Sequence, residues 1–252
     1  MKILICGKGG SGKSTLSVLI AKNLKKKGYN VLVVDADESN LGLHRLMGVP
    51  MPVNLMDNLG GKKEFKKKIS QAFPKGTSQG VFDKKWGIQD IPEAYAVQTG
   101  GIKLLPIGKI HNFGEGCACP MGVLSKMFLS NLEVTDNDAV IIDTEAGIEH
   151  FGRGLEAGCD MILGVVDPSF ESFMLAKKME EMGQNAEISV FFILNKVDEQ
   201  VEAAMSQHIS SEKVVARISK NNTIFMKSLQ GEELTMELPE IDQVCQFLIK
   251  GN

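Results

Sequence analysis

Nine residues near the start, GKGGSGKST from Gly7 to Thr15, have the make-up of an anion trap and fit the spacing G-x-x-x-x-G-K-[ST]. Gly9, Gly10 and Gly12 let the backbone bend so that N–H groups, that of Ser11 among them, converge on phosphate oxygens. Lys13 brings a full positive charge to β- and γ-phosphates, and the Ser14 hydroxyl is an oxygen ligand for Mg²⁺. Thr15 closes the motif. The apolar run Lys2 to Cys6 reads as a buried strand, and Ser14 to about Lys27 reads as a helix whose N-terminus adds partial positive charge. Strand, glycine loop, helix is the context that gives the spacing its meaning. A plain glycine turn would leave the lysine and the hydroxyl without a purpose.

Three carboxylates follow apolar runs. Asp35 and Asp37 stand in VVDADESN, and Asp143 closes AVIID. Open α/β sheets bind ligands at the carboxyl ends of their strands, so these residues are expected beside the phosphate loop. Mg²⁺ takes oxygen ligands and keeps several waters, so Asp143 is expected to hold it through water. Asp35 is expected near the metal or as a supporting neighbour. The competing role for such carboxylates is helix capping, a serious alternative for Asp35 and a weaker one for the other two. Farther on, NKVD (Asn195 to Asp198) follows another apolar run. Its pattern also suits guanine recognition, in which the aspartate pairs with the base.

The stretch GEGCACPMG places Cys117 and Cys119 one residue apart between glycines and a proline. With no export signal evident, reduced thiols in a cytoplasm are the expectation, and paired cysteines there favour metal binding or redox chemistry over stapling. A disulfide between thiols at this spacing would be strained. Structural Zn²⁺ wants four ligands in a closed tetrahedron, and one loop supplies two. A two-fold dimer sets equivalent patches opposite each other, so two chains supply four thiolates for one ion. Thiolate chemistry alone selects a soft divalent metal without separating Ni²⁺ from Zn²⁺. His111 lies close in sequence and reads as structural. Cys6, Cys159 and Cys245 sit in apolar surroundings and read as core.

A second lysine early in the loop, Lys8, makes the sequence resemble the deviant Walker group of ATPases, which includes MinD, ParA and the nitrogenase iron protein. The resemblance implies that Lys8 reaches across a homodimer to the partner's nucleotide and that Asp37 orients the attacking water. It implies a switch in DTEAG whose Gly147 amide senses the γ-phosphate, and an adenine contact from Asn195, with Lys196 beside it. With the phosphate loop, DADESNL, GEGCACPMG, DTEAG, VVDPSFES and NKVD in order along the chain, the sequence further resembles the CooC-type nickel-insertion ATPases of carbon monoxide dehydrogenase maturation. That branch implies hydrolysis of ATP to ADP, Ni²⁺ delivery with Zn²⁺ able to occupy the same thiols, and a nickel client enzyme. Related ATPases that load acetyl-CoA synthase share the pattern.

Such a site needs a frame, and the sequence predicts one. Apolar runs at 30–37, 139–147, 161–169 and 189–198 do not alternate, which suits parallel strands covered on both faces. Helical stretches between them predict an α/β P-loop NTPase fold, a doubly wound, mostly parallel sheet with helices on both faces, in one domain spanning 1–252. YAVQTGGIKLLPI predicts a hairpin turning at Gly100-Gly101. A net charge of −3 argues against wholesale wrapping of nucleic acid, and no apolar run is long enough to span a bilayer. Neither a nucleic acid nor a membrane is therefore an expected partner. Lys62, Lys63, Lys66, Lys67 and Lys68 read as a solvated helix face. The rival reading is a positioning ATPase of the ParA or MinD kind that binds DNA or membrane, with that cluster as its best support.

Overall fold

The structure, a computed structural model, describes residues 1–72, 81–82, 84–110, 119–148 and 154–251. Eight strands form one sheet: β1 (Lys2–Gly7), β2 (Asn30–Asp35), β3 (Val97–Thr99), β4 (Ile102–Pro106), β5 (Asp138–Asp143), β6 (Met161–Val166), β7 (Ser189–Val197) and β8 (Val214–Ser219). Their order is β3-β4-β2-β5-β1-β6-β7-β8. Every neighbouring pair is parallel except β3 with β4, the hairpin expected at Gly100-Gly101. The fold is the expected P-loop NTPase architecture.

The runs that failed to alternate are buried on both sides. Leu4, Leu32, Val34, Val140 and Ile142 face one core, with Phe65, Met121, Leu124 and Phe128 from helices. Ile3, Ile5, Val31, Val33 and Ile141 face the other. That is the period-two division of a strand covered on both faces. Helices α1 (Lys13–Lys26), α2 (Leu43–Leu46) and the C-terminal Pro239–Lys250 contribute to the second core. The first is covered by α3 (Leu55–Asn58), α4 (Gly61–Ala72), α5 (Cys119–Asn131), α6 (Phe170–Asn185) and α7 (Glu199–His208). After β8 the chain forms α8 (Asn222–Gln230) and then α9, the Pro239–Lys250 helix, whose proline stands in its first turn.

Register positions the chemistry. Asp35 of β2 lies level with Asp143 of β5 and with Pro106 of β4, and Asp143 lies level with Ile5 of β1. One row across the carboxyl edge therefore carries two acids, two residues below the glycine that begins the loop after β1. The chain reverses direction around β1, with β2 and β4 on one side and β6, β7 and β8 on the other. Ligands of open α/β sheets bind at such a switch point.

Strand ends fall one to four residues short of the sequence reading, because the terminal residues of VVDAD and AVIIDTEAG turn out of the ladder to reach the site. β8 was not anticipated. VVARIS is an edge strand with Arg217 and Ser219 exposed, so it has no uninterrupted apolar run to mark it. The lysine cluster does fall on a helix, α4, where Phe65 is buried and Lys63, Lys66 and Lys67 are exposed. Among the described residues no helix is long and apolar enough to cross a membrane.

Candidate functional site

The loop after β1 runs over the sheet edge into α1. Gly10 (φ 78°) and Gly12 (φ 108°) adopt left-handed backbone, which a side chain strains. At Gly12 a Cβ would also stand 2.3 Å from the Asn195 amide nitrogen. That close approach lets Asn195 Nδ2 donate to the Ser11 carbonyl at 2.7 Å, while Lys196 Nζ donates to the Gly10 carbonyl at 2.6 Å. The end of β7 thus grips the loop. Gly9 does not adopt the left-handed backbone, and a Cβ there would meet only Ala146, at an ordinary 3.6 Å. Lys13, 7% exposed, donates to the Lys8 carbonyl at 3.2 Å, so its ammonium lies folded inside the loop. A Gly12→Ala chain is expected to fold but to bind ATP at least about tenfold more weakly, since left-handed strain costs about 1–3 kcal/mol and the loop must part from Asn195; calorimetric titration with ATP checks this.

Beneath the loop lies an oxygen cluster. Ser14 Oγ donates to Asp143 Oδ2 at 2.6 Å, Ser17 Oγ donates to Asp143 Oδ1 at 3.0 Å, and Asn40 Nδ2 donates to Ser14 Oγ at 2.8 Å. Burial pushes the Asp143 carboxyl up to about 6, against the hydrogen bonds from Ser14 and Ser17 and the charge of Lys13. Ser14 and Asp143 offer hydroxyl and carboxylate oxygens, the hard ligands that suit Mg²⁺, while Asn40 faces them with its amide nitrogen and turns its Oδ1 to the Gly42 N–H. Thr15 lies one residue on, at the wall of a cavity described below.

Asp37 Oδ1 accepts from the backbone N–H of Ser39 (2.9 Å), from Ser39 Oγ (2.7 Å) and from the N–H of Asn40 (3.1 Å). Asp37 caps no helix, since α2 begins at Leu43 with Gly42 at its cap; its carboxylate instead holds the turn that carries Asn40 to Ser14. Asp35 caps nothing. Its Oδ2 accepts from Lys109 Nζ at 2.7 Å, and both side chains are almost wholly buried. Burial pushes Asp35 up to about 7, with Lys109 pulling it down and Asp143 and Asp37 adding to the rise. Asp35 is the supporting neighbour.

Gly147 of the expected switch and Lys8 both have partners elsewhere in the chain. The Gly147 N–H donates to the Gly7 carbonyl at 3.1 Å, so sensing a γ-phosphate would require that bond to open. Lys8 Nζ donates to Ser169 Oγ at 3.3 Å and lies 3.7 Å from Asp167 and 4.0 Å from Glu171. Burial opposes ionisation of Asp167, but Ser172, Ser169 and Lys8 together hold its carboxyl below the usual range. Lys8 is therefore docked on its own chain here.

A cavity of about 580 Å³ opens beside the loop, bounded by Gly10, Gly12, Thr15, Asn195 and Lys196 on one side and by Ile218, Lys220, Asn221 and exposed Phe225 on the other. Its position suits a nucleoside. Asp198 does not line it: Oδ1 accepts from the N–H groups of Gln200 and Val201, capping α7, and Oδ2 accepts from Lys220 at 2.6 Å. An aspartate so engaged is poorly placed to read guanine.

Cys119 is the exposed first residue of α5 and is disulfide-bonded. The sequence reading expected a reduced thiol; a thiolate ligand requires the reduced form. Cys117 and His111 lie outside the described residues. Cys6 and Cys245 are fully buried, while Cys159 is half-buried rather than core. Burial raises all three thiols, Cys159 and Cys245 to about 12, so they stay protonated and poor ligands. Among the described residues no group of three or more His, Cys, Asp or Glu side chains could hold a metal ion.

Sequence reasoning missed Asn40, Ser17, Lys109, Asp167 and the far wall of the cavity. Asn40 had a signal, its place three residues after Asp37. The cavity wall had none, because it follows the unanticipated β8.

A solved structure of MinD with Mg-ADP from Pyrococcus horikoshii superposes with a TM-score of 0.70 at 17% identity, covering 98% of this chain and 95% of that one. Among curated sequences, an uncharacterized ATP-binding protein of Methanocaldococcus jannaschii is 50% identical over 250 residues, covering 99% of this chain and 100% of the relative. The carbon monoxide dehydrogenase accessory protein CooC of Rhodospirillum rubrum is 33% identical over 210 residues, 80% of this chain and 76% of the relative. The model of the CobQ/CobB/MinD/ParA nucleotide binding domain matches residues 2–234. With the phosphate loop, the Ser14–Asp143 cluster and the doubly wound sheet all in place, the chain belongs to this family of P-loop nucleotide-binding proteins.

Proposed function

We propose that this chain is an ATP-hydrolysing metal carrier. ATP closes two copies around one Ni²⁺ or Zn²⁺ held by Cys117 and Cys119 of each, and hydrolysis releases the ion to a nickel enzyme of the carbon monoxide dehydrogenase kind. One observation carries the reading. β4 runs parallel to β2, so the connection bearing the two cysteines leaves the same carboxyl edge as the phosphate loop. Nucleotide and cargo are thereby handled at one end of one sheet. The similarity to CooC supports the choice of cargo and client.

In this reading Lys13 swings from the Lys8 carbonyl onto the β- and γ-phosphates, and the N–H groups of Gly9 to Ser14 wrap them. Ser14 and, through water, Asp143 would hold Mg²⁺, which when bound would supply positive charge to the phosphate oxygens. Asp37 orients a water for in-line attack on the γ-phosphorus; the bond to the β–γ bridging oxygen breaks, and ADP and phosphate leave. Lys8 exchanges Asp167 and Ser169 for the partner's nucleotide, so pairing depends on ATP. The engaged Asp198 supports adenine over guanine. A thiolate must displace its proton to bind metal, so metal affinity falls in acid.

Replacing Cys119 by Ser tests the division of labour. In reduced protein the variant is expected to lose stoichiometric Ni²⁺ or Zn²⁺ while keeping single-turnover ATP hydrolysis within about threefold, because α5 does not contribute to the phosphate site. Equal metal content in variant and parent would reject these thiols as ligands.

A second reading, a positioning ATPase of the ParA or MinD kind, draws support from the exposed lysines of α4. DNA binding that weakened steeply with salt would favour it. Helix α9 does not offer its apolar face to a membrane, since Ile241, Val244, Cys245 and Leu248 are buried against the core beneath α1.

A further inference from the structure

We propose that Lys109 is a positioning residue that couples the nucleotide site to the cysteine-bearing segment. The inference rests on the carrier reading above and identifies the part of the chain through which ATP would act on metal.

Lys109 is a lysine buried to about 1% exposure one turn of chain beyond β4. Its Nζ donates to Asp35 Oδ2 at 2.7 Å and to the Asp37 carbonyl at 2.5 Å. The backbone on either side is bonded to the same turn: the Ile107 N–H donates to the Asp35 carbonyl at 2.9 Å, and the Ile110 N–H to the Glu38 carbonyl at 3.1 Å. Asp35 Oδ1 in turn accepts from the Asp37 N–H at 3.2 Å. From Asp37 the contacts continue through Asn40 to Ser14 Oγ and Asp143. One hydrogen-bonded path thus runs from the magnesium-type oxygens to Ile110, and Cys117 follows seven residues after Ile110.

The far end of that segment is tied to the near end. A Cβ on Gly108 would stand 3.0 Å from Met121 Cγ, so Gly108 packs directly on the second residue after Cys119. In sequence Cys117 falls between residues 107–110 and 119–121, Cys119 belongs to the second of these, and the first is bonded to the Asp35–Glu38 turn.

A buried ion pair is a poor device for stability alone, because well-packed apolar replacements often serve as well or better. Here the pair joins two segments that the carrier reading gives different ligands. If ATP resets the Asp37 turn, Lys109 must follow the Asp37 carbonyl or lose it, and either outcome moves the stem of the cysteine segment. Linkage then requires the effect to be mutual: whatever ATP does to metal affinity, metal does to ATP affinity.

The test measures Ni²⁺ affinity by chelator competition in reduced protein, with and without Mg²⁺ and a non-hydrolysed ATP analogue. The ratio of the two affinities is taken within each protein, so any change in intrinsic binding cancels. The parent is expected to show a ratio in the range of about 5–150-fold. In Lys109→Met/Asp35→Leu, which removes both charges together, the ratio is expected to drop below about twofold. A double variant with the parent's ratio overturns the inference about Lys109. A parent with no ratio overturns the carrier reading instead. Should the double variant not fold, hydrogen exchange in the parent decides: the Ile107 and Ile110 amides are expected to change protection when the analogue binds, and unchanged exchange overturns the inference.

Discussion

Replacing Lys13 by alanine is expected to lower ATP turnover by at least about 100-fold. The loop glycines and the N-terminus of α1 supply partial charges, but Lys13 is the full charge that the sequence places in the middle of the motif. In the structure its ammonium is 3.2 Å from the Lys8 carbonyl, so it already lies inside the loop and needs only a side-chain rotation to reach phosphate. Losing one preorganised group aimed at developing charge costs about 2.7–4 kcal/mol, or two to three powers of ten in rate. Affinity for ADP is expected to fall less than turnover, because the backbone donors remain. Steady-state hydrolysis and ADP titration check both. Turnover within tenfold of the parent would remove Lys13 from the chemistry. Lys8→Ala gives a contrast: its docking on Asp167 and Ser169 leaves nucleotide binding by single chains intact, so its loss is expected to appear in turnover that depends on protein concentration.

Lys109→Met is expected to produce the largest loss of stability, and one that depends on pH. The Asp35 carboxyl is already raised to about 7, chiefly by burial, with Asp143 and Asp37 raising it further and Lys109 opposing. Removing Lys109 removes the opposing charge, so the folded-state value climbs above about 7 while the unfolded value stays near 4. A carboxyl raised on folding binds more protons folded than unfolded. Stability therefore falls as pH rises from about 4 through the folded-state value. At pH 8 the variant must either hold a buried, unpaired carboxylate or take up a proton to neutralise it, and breaking such a pair costs about 3–5 kcal/mol. At pH 5 Asp35 is neutral in the fold and most of that deficit is absent. The deficit left there reflects the Asp37 carbonyl, which also loses its donor. Urea unfolding of parent and variant at pH 5 and pH 8 checks the sign, and adding Asp35→Leu is expected to recover much of the loss at pH 8. A deficit equal at both pH values would mean that Asp35 is not the group responsible.

The frame and the phosphate loop were legible because local rules decide both. A strand covered on both faces must be apolar throughout, and a loop that binds phosphate must spend glycines, a lysine and a hydroxyl at fixed spacing. Register then did the remaining work: Asp35 and Asp143 stand level because β2 and β5 pair that way, although 108 residues separate them. What could not be read was the pairing of individual side chains. Nothing in VVDADESN says that Asp35 meets Lys109 while Asp37 holds a turn. That outcome depends on β4 lying beside β2, a contact between distant segments. The edge strand β8 was invisible for a related reason, since exposed Arg217 and Ser219 interrupt its apolar run, and the cavity wall that follows it was lost with it. Lys8 shows the same limit. Its present partners, Asp167 and Ser169, stand in the turn between β6 and α6, and nothing within the phosphate loop itself points to them.

Among possible measurements, the mass and metal content of the reduced protein bear most directly on the carrier reading. Native mass spectrometry of chains supplied with Ni²⁺, with and without Mg²⁺ and a non-hydrolysed ATP analogue, reports both together. The account predicts a dimer holding one shared ion when the analogue is present, and metal-poor chains when it is absent. A single chain carrying its own tightly bound ion regardless of nucleotide would contradict it.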